Sequence, residues 1–414
     1  MNAIWQAAIK SDRWQPLATW LMALALACSP SYLLRGHLLG LPTNGLEIVL
    51  GVAIVVGLFA YRFELDWHNP YRWPALLLLL AATLDMVLSP NRRGAMGIWA
   101  AYFLEPMLAG LVCAAIARQT NRARLLLAGL AVSGGIIALA NLVVTVPAYV
   151  SGHFNVFTPP VAIYQSANAV PLYLEPLIAF ALPLALWSRP RIDRLAAGAF
   201  ALIAVLACLT SYSRAGWLTV LVLVVAVSLF SRLRWWIIAG LSAVGALLFA
   251  FSHSIRSRIL VEFDLHSRFN TIGLRIDLWK SSLNMLRHHP LLGGGLAGFK
   301  ESLRPYHDAG FHEDLIYPHN LFLNFWSETG LLGLAAIVWL LIQMLRLVRR
   351  GLVSAPESSW PRLMSIGLLG LVLAFLVHGL VDVPYFKNDQ ALACFALIGI
   401  QLASLRGTKL KIAG

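Results

Sequence analysis

The sequence predicts an all-α polytopic membrane protein of about twelve transmembrane helices. Of its 414 residues, 59% are hydrophobic and only 12% are charged, whereas a soluble globular chain carries about 25% charged residues. Long apolar stretches recur from Leu17 to Leu405, and a lipid-buried helix needs about 20 mainly apolar residues. Backbone polar groups in hydrocarbon must be paired internally, so the spans are helices or a closed barrel. These apolar runs are too long and too unbroken for the alternating strands of a barrel.

The apolar runs divide the chain into three parts. Residues 1–252 are expected to form nine helices, residues 253–319 a long polar loop, and residues 320–414 three more helices. The first helix follows Lys10 and Arg13 and resembles a signal peptide, but it lacks a convincing small-x-small cleavage site and is kept as a span. The twelve expected helices lie near residues 16–34, 44–60, 73–89, 96–116, 124–150, 169–187, 195–212, 215–231, 235–252, 320–345, 363–381 and 390–405.

The distribution of Lys and Arg predicts the orientation of these helices. With the N-terminus in the cytoplasm, 19 Lys and Arg residues fall on the cytoplasmic side and 5 fall in the short loops of the other face. Short cytoplasmic loops are enriched in Lys and Arg, so we expect an inner-membrane protein with both termini in the cytoplasm. The net charge of +13 then reflects topology, and no nucleic-acid partner is expected. The four cysteines lie inside apolar runs, which disfavours a disulfide, and their spacing is not that of metal ligands.

The loop at 253–319 is too long for an ordinary connection, and loops of this length are usually functional or disordered. Its spaced Trp, Phe and Leu residues predict a folded cap on the periplasmic face between the ninth and tenth helices. Within it, residues 275–290 predict an amphipathic helix that lies on the bilayer or on neighbouring protein. Its expected apolar face consists of Ile276, Trp279, Leu283 and Leu286.

Two arginines are candidate anion-binding residues. Arg214 lies in the tight turn SYSRAG at 211–216, together with Tyr212. A guanidinium held in place in this way suits a bidentate phosphate contact, although an arginine that snorkels to the interface is the simpler explanation. Arg275 opens the amphipathic segment and is followed by Trp279. The glycines of HPLLGGGLAGF, at 289–299, allow close backbone approach, and a structural turn is favoured there over a phosphate site.

A histidine is the candidate proton acceptor. His319 and Asn320 directly precede the tenth helix, and a neutral imidazole accepts a proton near neutral pH. His378 and Asp382 end the eleventh helix, where Asp382 could orient a histidine or an arginine, or act as a cap. Two further carboxylates lie inside expected spans, where such groups are costly and often functional; the roles of Glu105 and Glu175 stay open at this stage.

Together these clusters resemble the O-antigen ligase and polymerase superfamily of bacterial membrane glycosyltransferases, and most closely the ligases. The similar pieces follow the expected order over the second half of the chain. They are the S-x-S-R turn at 211–214, Arg275 with Trp279, the HPLLGGGLAGF segment, and the string HN-L-x-L-x-x-x-x-E-x-G-L-L-G at 319–333.

The resemblance implies a donor polysaccharide on undecaprenyl pyrophosphate, which is transferred at the periplasmic face to a sugar hydroxyl of the lipid A core oligosaccharide. It implies inversion at the anomeric carbon, with no cofactor and no metal. Arg214 and Arg275 would stabilise the departing pyrophosphate, and His319 would be the general base. Asn320, Trp279, Asp382, His378 and Tyr212 would bind substrate or support these groups, and membrane lipids would surround the helices.

Three other functions remain open. An O-antigen polymerase would use a second lipid-linked repeat unit as acceptor, and a protein O-oligosaccharyltransferase would use Ser or Thr of an exported protein. A secondary transporter, ranked below these, should contain two halves related by a repeat. The only internal similarity is the short Glu-Pro pair at 102–110 and 173–180.

Overall fold

The computed structural model describes residues 13–38, 41–264, 267, 270–307 and 317–407. Lys10 and both chain termini lie outside this part. The protein is 77% helix, and each of the twelve predicted apolar segments forms a helix. The described residues contain fifteen helices: α1 (Trp14–Ala27), α2 (Gly45–Ala60), α3 (Arg72–Leu88), α4 (Arg92–Ile116), α5 (Thr120–Val150), α6 (Ala169–Trp187), α7 (Arg191–Thr210), α8 (Arg214–Ser228), α9 (Arg234–Phe251), α10 (His253–Leu260), α11 (Thr271–His288), α12 (Phe299–Leu303), α13 (Leu321–Ser354), α14 (Trp360–His378) and α15 (Asn388–Ser404).

Seven of these helices are long and apolar enough to cross a membrane: α4, α5, α6, α7, α9, α13 and α14. The shorter helices α2 and α8 are also strongly apolar. The total of twelve spans therefore stays a prediction. Helix α6 lies at the centre of the bundle, with 83% of its apolar window buried, and packs against α7 and α14, whereas no residue in the window of α9 is buried.

The chain between α1 and α2 differs from the prediction. The first helix was expected to reach residue 34, but α1 ends at Ala27 and a 3-10 turn follows at Ser29–Leu33. Pro30 accounts for this end, because the residue before a proline is pushed out of the α-helical region. A short antiparallel hairpin then pairs β1 (Arg35–Leu38) with β2 (Leu41–Asn44) within a fold that is otherwise helical.

Helix α13 is broken two turns after its start, and the glycine-rich segment fills the break. Gly330 has φ +61°. The Leu331 N–H, which lies beyond the break, donates to the Leu291 carbonyl at 3.0 Å, and the Gly294 N–H donates to the Ser327 carbonyl at 2.7 Å. A Cβ atom on Gly293 would lie 2.4 Å from the Trp326 carbonyl oxygen. The glycines thus permit backbone-to-backbone packing, in agreement with a structural turn.

A buried carboxylate holds the other end of this segment. Glu328 Oε2 accepts the Ala297 N–H at 2.6 Å, and the carboxylate also accepts the backbone N–H of Phe299, which begins α12. An anion at a helix N-terminus satisfies donors that have no partner within the helix. Glu328 therefore connects α13 to the loop that packs into its break.

The predicted amphipathic helix exists as α11, and neighbouring protein covers part of its apolar surface. Leu278, Met285 and Leu286 are buried, and they pack with Phe299 and Leu303 of the following segment. Of the expected apolar face, Ile276 and Leu283 are 41% and 40% exposed. The contacts of α11 with α12 and α13 bury the face that contains Leu278 and Met285. Leu286 belongs both to the expected apolar face and to the buried face. Helix α11 thus packs on neighbouring protein along one side.

The break in α13 yields a stability prediction. In Gly330→Ala the new Cβ would lie 2.2 Å from the Leu291 carbonyl oxygen, and the positive φ alone costs about 1–2 kcal/mol for an L side chain. We expect a lower melting temperature and a smaller monodisperse fraction in detergent size-exclusion chromatography. Gly240→Ala in α9 is the control, because a Cβ there meets nothing within 4 Å. Equal melting temperatures for the two variants would contradict the packing described here.

Candidate active site

The turn between α7 and α8 is organised by its serines. The Ser211 hydroxyl donates to the Cys208 carbonyl at 2.7 Å and accepts the Ser213 N–H at 3.3 Å. The Ser213 hydroxyl accepts the Gly216 N–H at 3.2 Å and caps α8. Tyr212 between them has φ +54°. The S-x-S-R pattern is therefore a compact turn that places Arg214 at the first position of α8.

Arg214 is held by three chain segments. Its Nη1 forms an ion pair with Glu262 Oε1 and donates to the Arg258 carbonyl at 3.2 Å. Its Nη2 donates to Thr271 Oγ1 at 2.9 Å. The guanidinium is mostly buried, and Glu262 is 7% exposed. Arg214 is thus fixed, as the sequence predicted, but its charge is balanced by a carboxylate that the sequence analysis had not identified.

Glu262 also caps the N-terminus of α11. Its carboxylate accepts the N–H groups of Thr271 and Ile272, at 3.0 and 2.9 Å, and the Thr271 hydroxyl at 3.1 Å. Such a carboxylate is favourable at the positive end of a helix dipole. Glu262 lies in no recognisable motif, so only the folded chain shows that one side chain joins α8 to α11.

Arg275 lies one turn into α11, directly beyond this cap. Its Nη1 donates to Thr271 Oγ1 at 2.7 Å, and its Nε is buried without a hydrogen-bond partner. Within the described residues, no carboxylate lies at ion-pairing distance from this guanidinium. Unlike Arg214, Arg275 therefore forms no ion pair with a carboxylate of the described residues.

His319 and Asp382 meet at the start of α13. His319 has φ +49°, a backbone region that non-glycine residues rarely adopt and that occurs often at functional sites. Its Nδ1 lies 3.4 Å from Asp382 Oδ1, and Asp382 is 2% exposed. The Asp382 carboxylate also accepts Asn168 Nδ2 at 3.2 Å and the Val383 N–H at 2.9 Å. The buried Asp382 carboxylate therefore lies beside the His319 ring, and its role in orienting that ring stays a prediction.

The charges around Asp382 keep it ionised. Burial alone would raise the pKa of its carboxyl, but the adjacent His319 imidazole, followed by His378 and Arg275, outweighs burial and holds the pKa well below its usual range. The carboxylate is therefore charged throughout the neutral pH range. The influence of Arg275 also shows that its guanidinium is close enough to act electrostatically on the His319–Asp382 pair.

Two predicted supporting residues hold the backbone on either side of His319. Trp279 Nε1 donates to the Pro318 carbonyl at 3.0 Å. Asn320 caps α13 by accepting the N–H groups of Phe322 and Leu323 at 3.0 Å each, and its Nδ2 donates to the Leu380 carbonyl at 3.0 Å. Arg275 and Trp279 are four residues apart on α11 and lie on one face of it. Helix α11 thus brings Arg275 to the segment that carries His319.

His378 lies deeper, inside the bundle, and does not join this cluster directly. Its Nδ1 is 2.8 Å from Glu175 Oε1, both side chains are buried, and its Nε2 has no partner. The His378 carbonyl accepts the N–H of Asp382 at 3.0 Å. His378 and Glu175 therefore support the turn below Asp382, whereas Glu105 on α4 interacts electrostatically with Glu47 of α2.

An apolar groove of about 540 Å³ opens beside the Arg214 turn. The Tyr212 ring forms part of its wall and packs against Phe154 and Trp217, with ring centroids 4.9 and 5.3 Å away. Helices α5, α7, α8, α9 and α10 supply the other residues, which are Thr145, Val146, Tyr149, Val150, Leu209, Thr210, Leu218, Leu221, Gly245, Leu248, Phe249, Ile255 and Ile259. A second groove, of about 560 Å³, lies elsewhere, around Arg124 and Trp360.

The described residues therefore bring together three predicted groups, Arg214, Arg275 and His319, around α11. In the same part of the chain, no three His, Cys, Asp or Glu side chains are grouped closely enough to hold a metal ion. Sequence reasoning missed Glu262 and Asn168, which lie outside the recognised motifs. The site offers rigid cations, an oriented imidazole and a neighbouring apolar groove.

Comparison with known families gives a match over this region. Residues 199–338 match the family described as O-Antigen ligase. The match includes the Arg214 turn, α11 and the segment that carries His319, but it ends before Asp382. A search of curated proteins finds no match to the chain.

The ion pair between Arg214 and Glu262 yields a stability prediction. Glu262→Ala would leave a mostly buried guanidinium without its counter-charge and would remove the Glu262 contacts to the first N–H groups of α11, although Asn270 still caps that helix, so we expect the free energy of unfolding to fall by about 2 kcal/mol or more. Asp277→Asn is the control, because it removes the exposed Lys280–Asp277 pair, which should contribute about 0–1 kcal/mol. Denaturant titration in detergent measures both. Similar values for the two variants would show that Glu262 is dispensable.

Proposed function

We propose, from the match of residues 199–338 to the family described as O-Antigen ligase, that this chain transfers a polysaccharide from undecaprenyl pyrophosphate to a sugar hydroxyl of the lipid A core. At the coarser level, that match supports an O-antigen ligase- or polymerase-type membrane glycosyltransferase. The observation that carries the finer proposal is the meeting of Arg275 and Arg214 with the His319–Asp382 pair around α11.

The arginines act on the leaving group. As the bond between the anomeric carbon and the phosphate oxygen breaks, negative charge develops on the pyrophosphate. Preorganised cations aimed at such charge are often the largest contribution to catalysis. In our proposal Arg275 faces the negative charge of the departing pyrophosphate, because it has no carboxylate ion-pair partner among the described residues. Arg214 supports Arg275 from the adjoining turn.

His319 acts on the acceptor. The acceptor hydroxyl attacks the anomeric carbon from the face opposite the leaving group, so the configuration inverts, and its proton passes to the imidazole. Because Nδ1 faces Asp382, the proton is accepted at Nε2, and Asp382 stabilises the imidazolium that forms. The proton acceptor must be neutral at the start of this step.

The surroundings fit a lipid-linked donor. The apolar groove beside Tyr212 would hold part of the prenyl chain, while the chain from α10 to α12 would cover the sugar as a periplasmic cap. This arrangement requires the start of α8 and of α13 to face the periplasm, with both termini in the cytoplasm of an inner-membrane protein. The positive-inside distribution of Lys and Arg supports that orientation.

The proposal predicts the effect of three substitutions on transfer to lipid A core. His319→Ala should lower the rate by about 100- to 10,000-fold, the usual contribution of a general base. Arg275→Ala and Arg214→Ala should each lower it by about 100-fold or more. The measurement is polysaccharide on lipid A core at matched protein levels. His153→Ala, at an exposed loop histidine, is the control, and full transfer by the His319 variant would remove that residue from the mechanism.

The acceptor is tested separately with purified protein and lipid-linked donor. Lipid A core, a second lipid-linked repeat unit and a pilin-type protein are offered one at a time. Product with lipid A core alone supports the ligase, whereas product with the repeat unit or the protein identifies a polymerase or a protein O-oligosaccharyltransferase. Absence of product with all three, combined with uptake of the substrate by liposomes carrying the protein, would support a transporter instead.

A further inference from the structure

A third guanidinium, Arg258 of α10, borders the same site. Its Nε donates to the Tyr212 carbonyl at 3.2 Å, and its guanidinium carbon lies 5.7 Å from the centroid of the Phe157 ring. Its own carbonyl accepts Arg214 Nη1 at 3.2 Å. Arg258 is therefore attached through two backbone carbonyls to the turn that carries Arg214.

Arg258 also stands at the mouth of the apolar groove. Ile255 and Ile259, three residues before it and one after it on α10, line the groove, as does Tyr212, whose carbonyl it contacts. Burial lowers the pKa of its guanidinium, Glu262 raises it and Arg275 lowers it again. In the part of the chain described here, no carboxylate lies within ion-pairing distance of Arg258. A half-buried cation without a counter-charge is costly, and a bound anion would relieve that cost.

The charges around α11 match one particular kind of anion. Arg214, Arg258 and Arg275 interact electrostatically with one another, and Glu262 balances one of the three. Among the described residues, two guanidiniums without an ion-pair partner remain. Arg258 lies next to the groove, and Arg275 lies next to the His319–Asp382 pair, where the ionised Asp382 offsets part of its charge. A pyrophosphate esterified at both ends carries one negative charge on each phosphate and so offers one anionic group to each of these guanidiniums.

We infer that Arg258 binds the lipid-side phosphate of the donor, whose apolar chain lies in the groove, while Arg275 binds the sugar-side phosphate. This inference rests on the proposed glycosyltransferase function and adds to it the direction in which the donor lies across the site. The donor runs from the groove past Tyr212 and Arg258, across Arg214 and Thr271, to Arg275 and His319. The occupant is a long-chain lipid diphosphate, because the apolar wall and the cation at its end match the two parts of such a molecule. Arg214, paired with Glu262, acts chiefly as a positioning residue that sets the spacing between the two free cations.

The test compares Arg258→Gln with Arg256→Gln in the full-length purified protein. Arg256 lies on the same helix and donates to the Ala250 carbonyl at 2.8 Å, so its variant removes the same charge from the opposite side of α10. We expect Arg258→Gln to raise the KM for the lipid-linked donor by about 10- to 100-fold, the usual contribution of a charge-assisted hydrogen bond. The kcat and the KM for the acceptor should change by less than about threefold. Arg256→Gln should match the wild type.

Two further measurements keep the inference testable. If Arg258→Gln does not fold, Arg258→Met decides, because it removes the charge and keeps an apolar stem for the half-buried position; an unchanged donor KM in that variant would overturn the inference. Competition by phosphatidylglycerol separates a donor site from a general lipid site. Displacement of the bound donor by an equal amount of phosphatidylglycerol would overturn the inference, whereas retention of the donor supports it. If the wild type forms no product with any acceptor, the proposed function itself fails, whereas wild-type turnover with an unchanged donor KM in Arg258→Gln refutes only the role of Arg258.

Discussion

The contact between Glu262 and Arg214 determines the geometry of the site. Glu262 lies in the loop after α10, yet its carboxylate reaches the first residue of α8 and the first N–H groups of α11. Taking both charges out of water is costly, and the additional hydrogen bonds from Thr271 offset part of this cost. Because both helices begin at this carboxylate, the direction in which α11 leaves the bundle depends on it. The positions of Arg275 and Trp279, which both lie on α11, follow from that direction.

The break in α13 determines the geometry of the opposite side of the site, where His319 lies. The glycine-rich segment supplies carbonyl groups to N–H groups that the broken helix leaves unpaired, and Glu328 binds the N–H groups of Ala297 and Phe299. Helix α11 buries Leu278 and Met285 against this region. The positions of His319 and Arg275 are thus coupled through packed backbone rather than through a flexible loop. This rigidity is what a site that stabilises developing charge requires.

The distribution of charge separates the arginines into two kinds. Arg214 has a carboxylate partner and contacts to three segments, so its substitution disturbs structure as well as charge. Arg275 and Arg258 have hydrogen bonds to neutral groups only. Their positive charges are therefore available to a substrate anion. A reduced rate in an Arg214 variant can thus arise from a displaced α11, and the Glu262 variant separates that effect from a loss of direct substrate contact.

The sequence by itself determined the helices, because an apolar segment in a bilayer can satisfy its backbone only by local hydrogen bonds. All twelve predicted segments are helical, and the serine turn and the glycine segment were identified from their local chemistry. The tertiary structure alone decided which groups meet. Glu262, Arg258 and Asn168 carried no local signal, since their roles depend on partners far away in the chain. The face of α11 that neighbouring protein buries and the approach of His319 to Asp382 were decided in the same way, because packing between distant segments selects one face and one neighbour among several that the sequence allows.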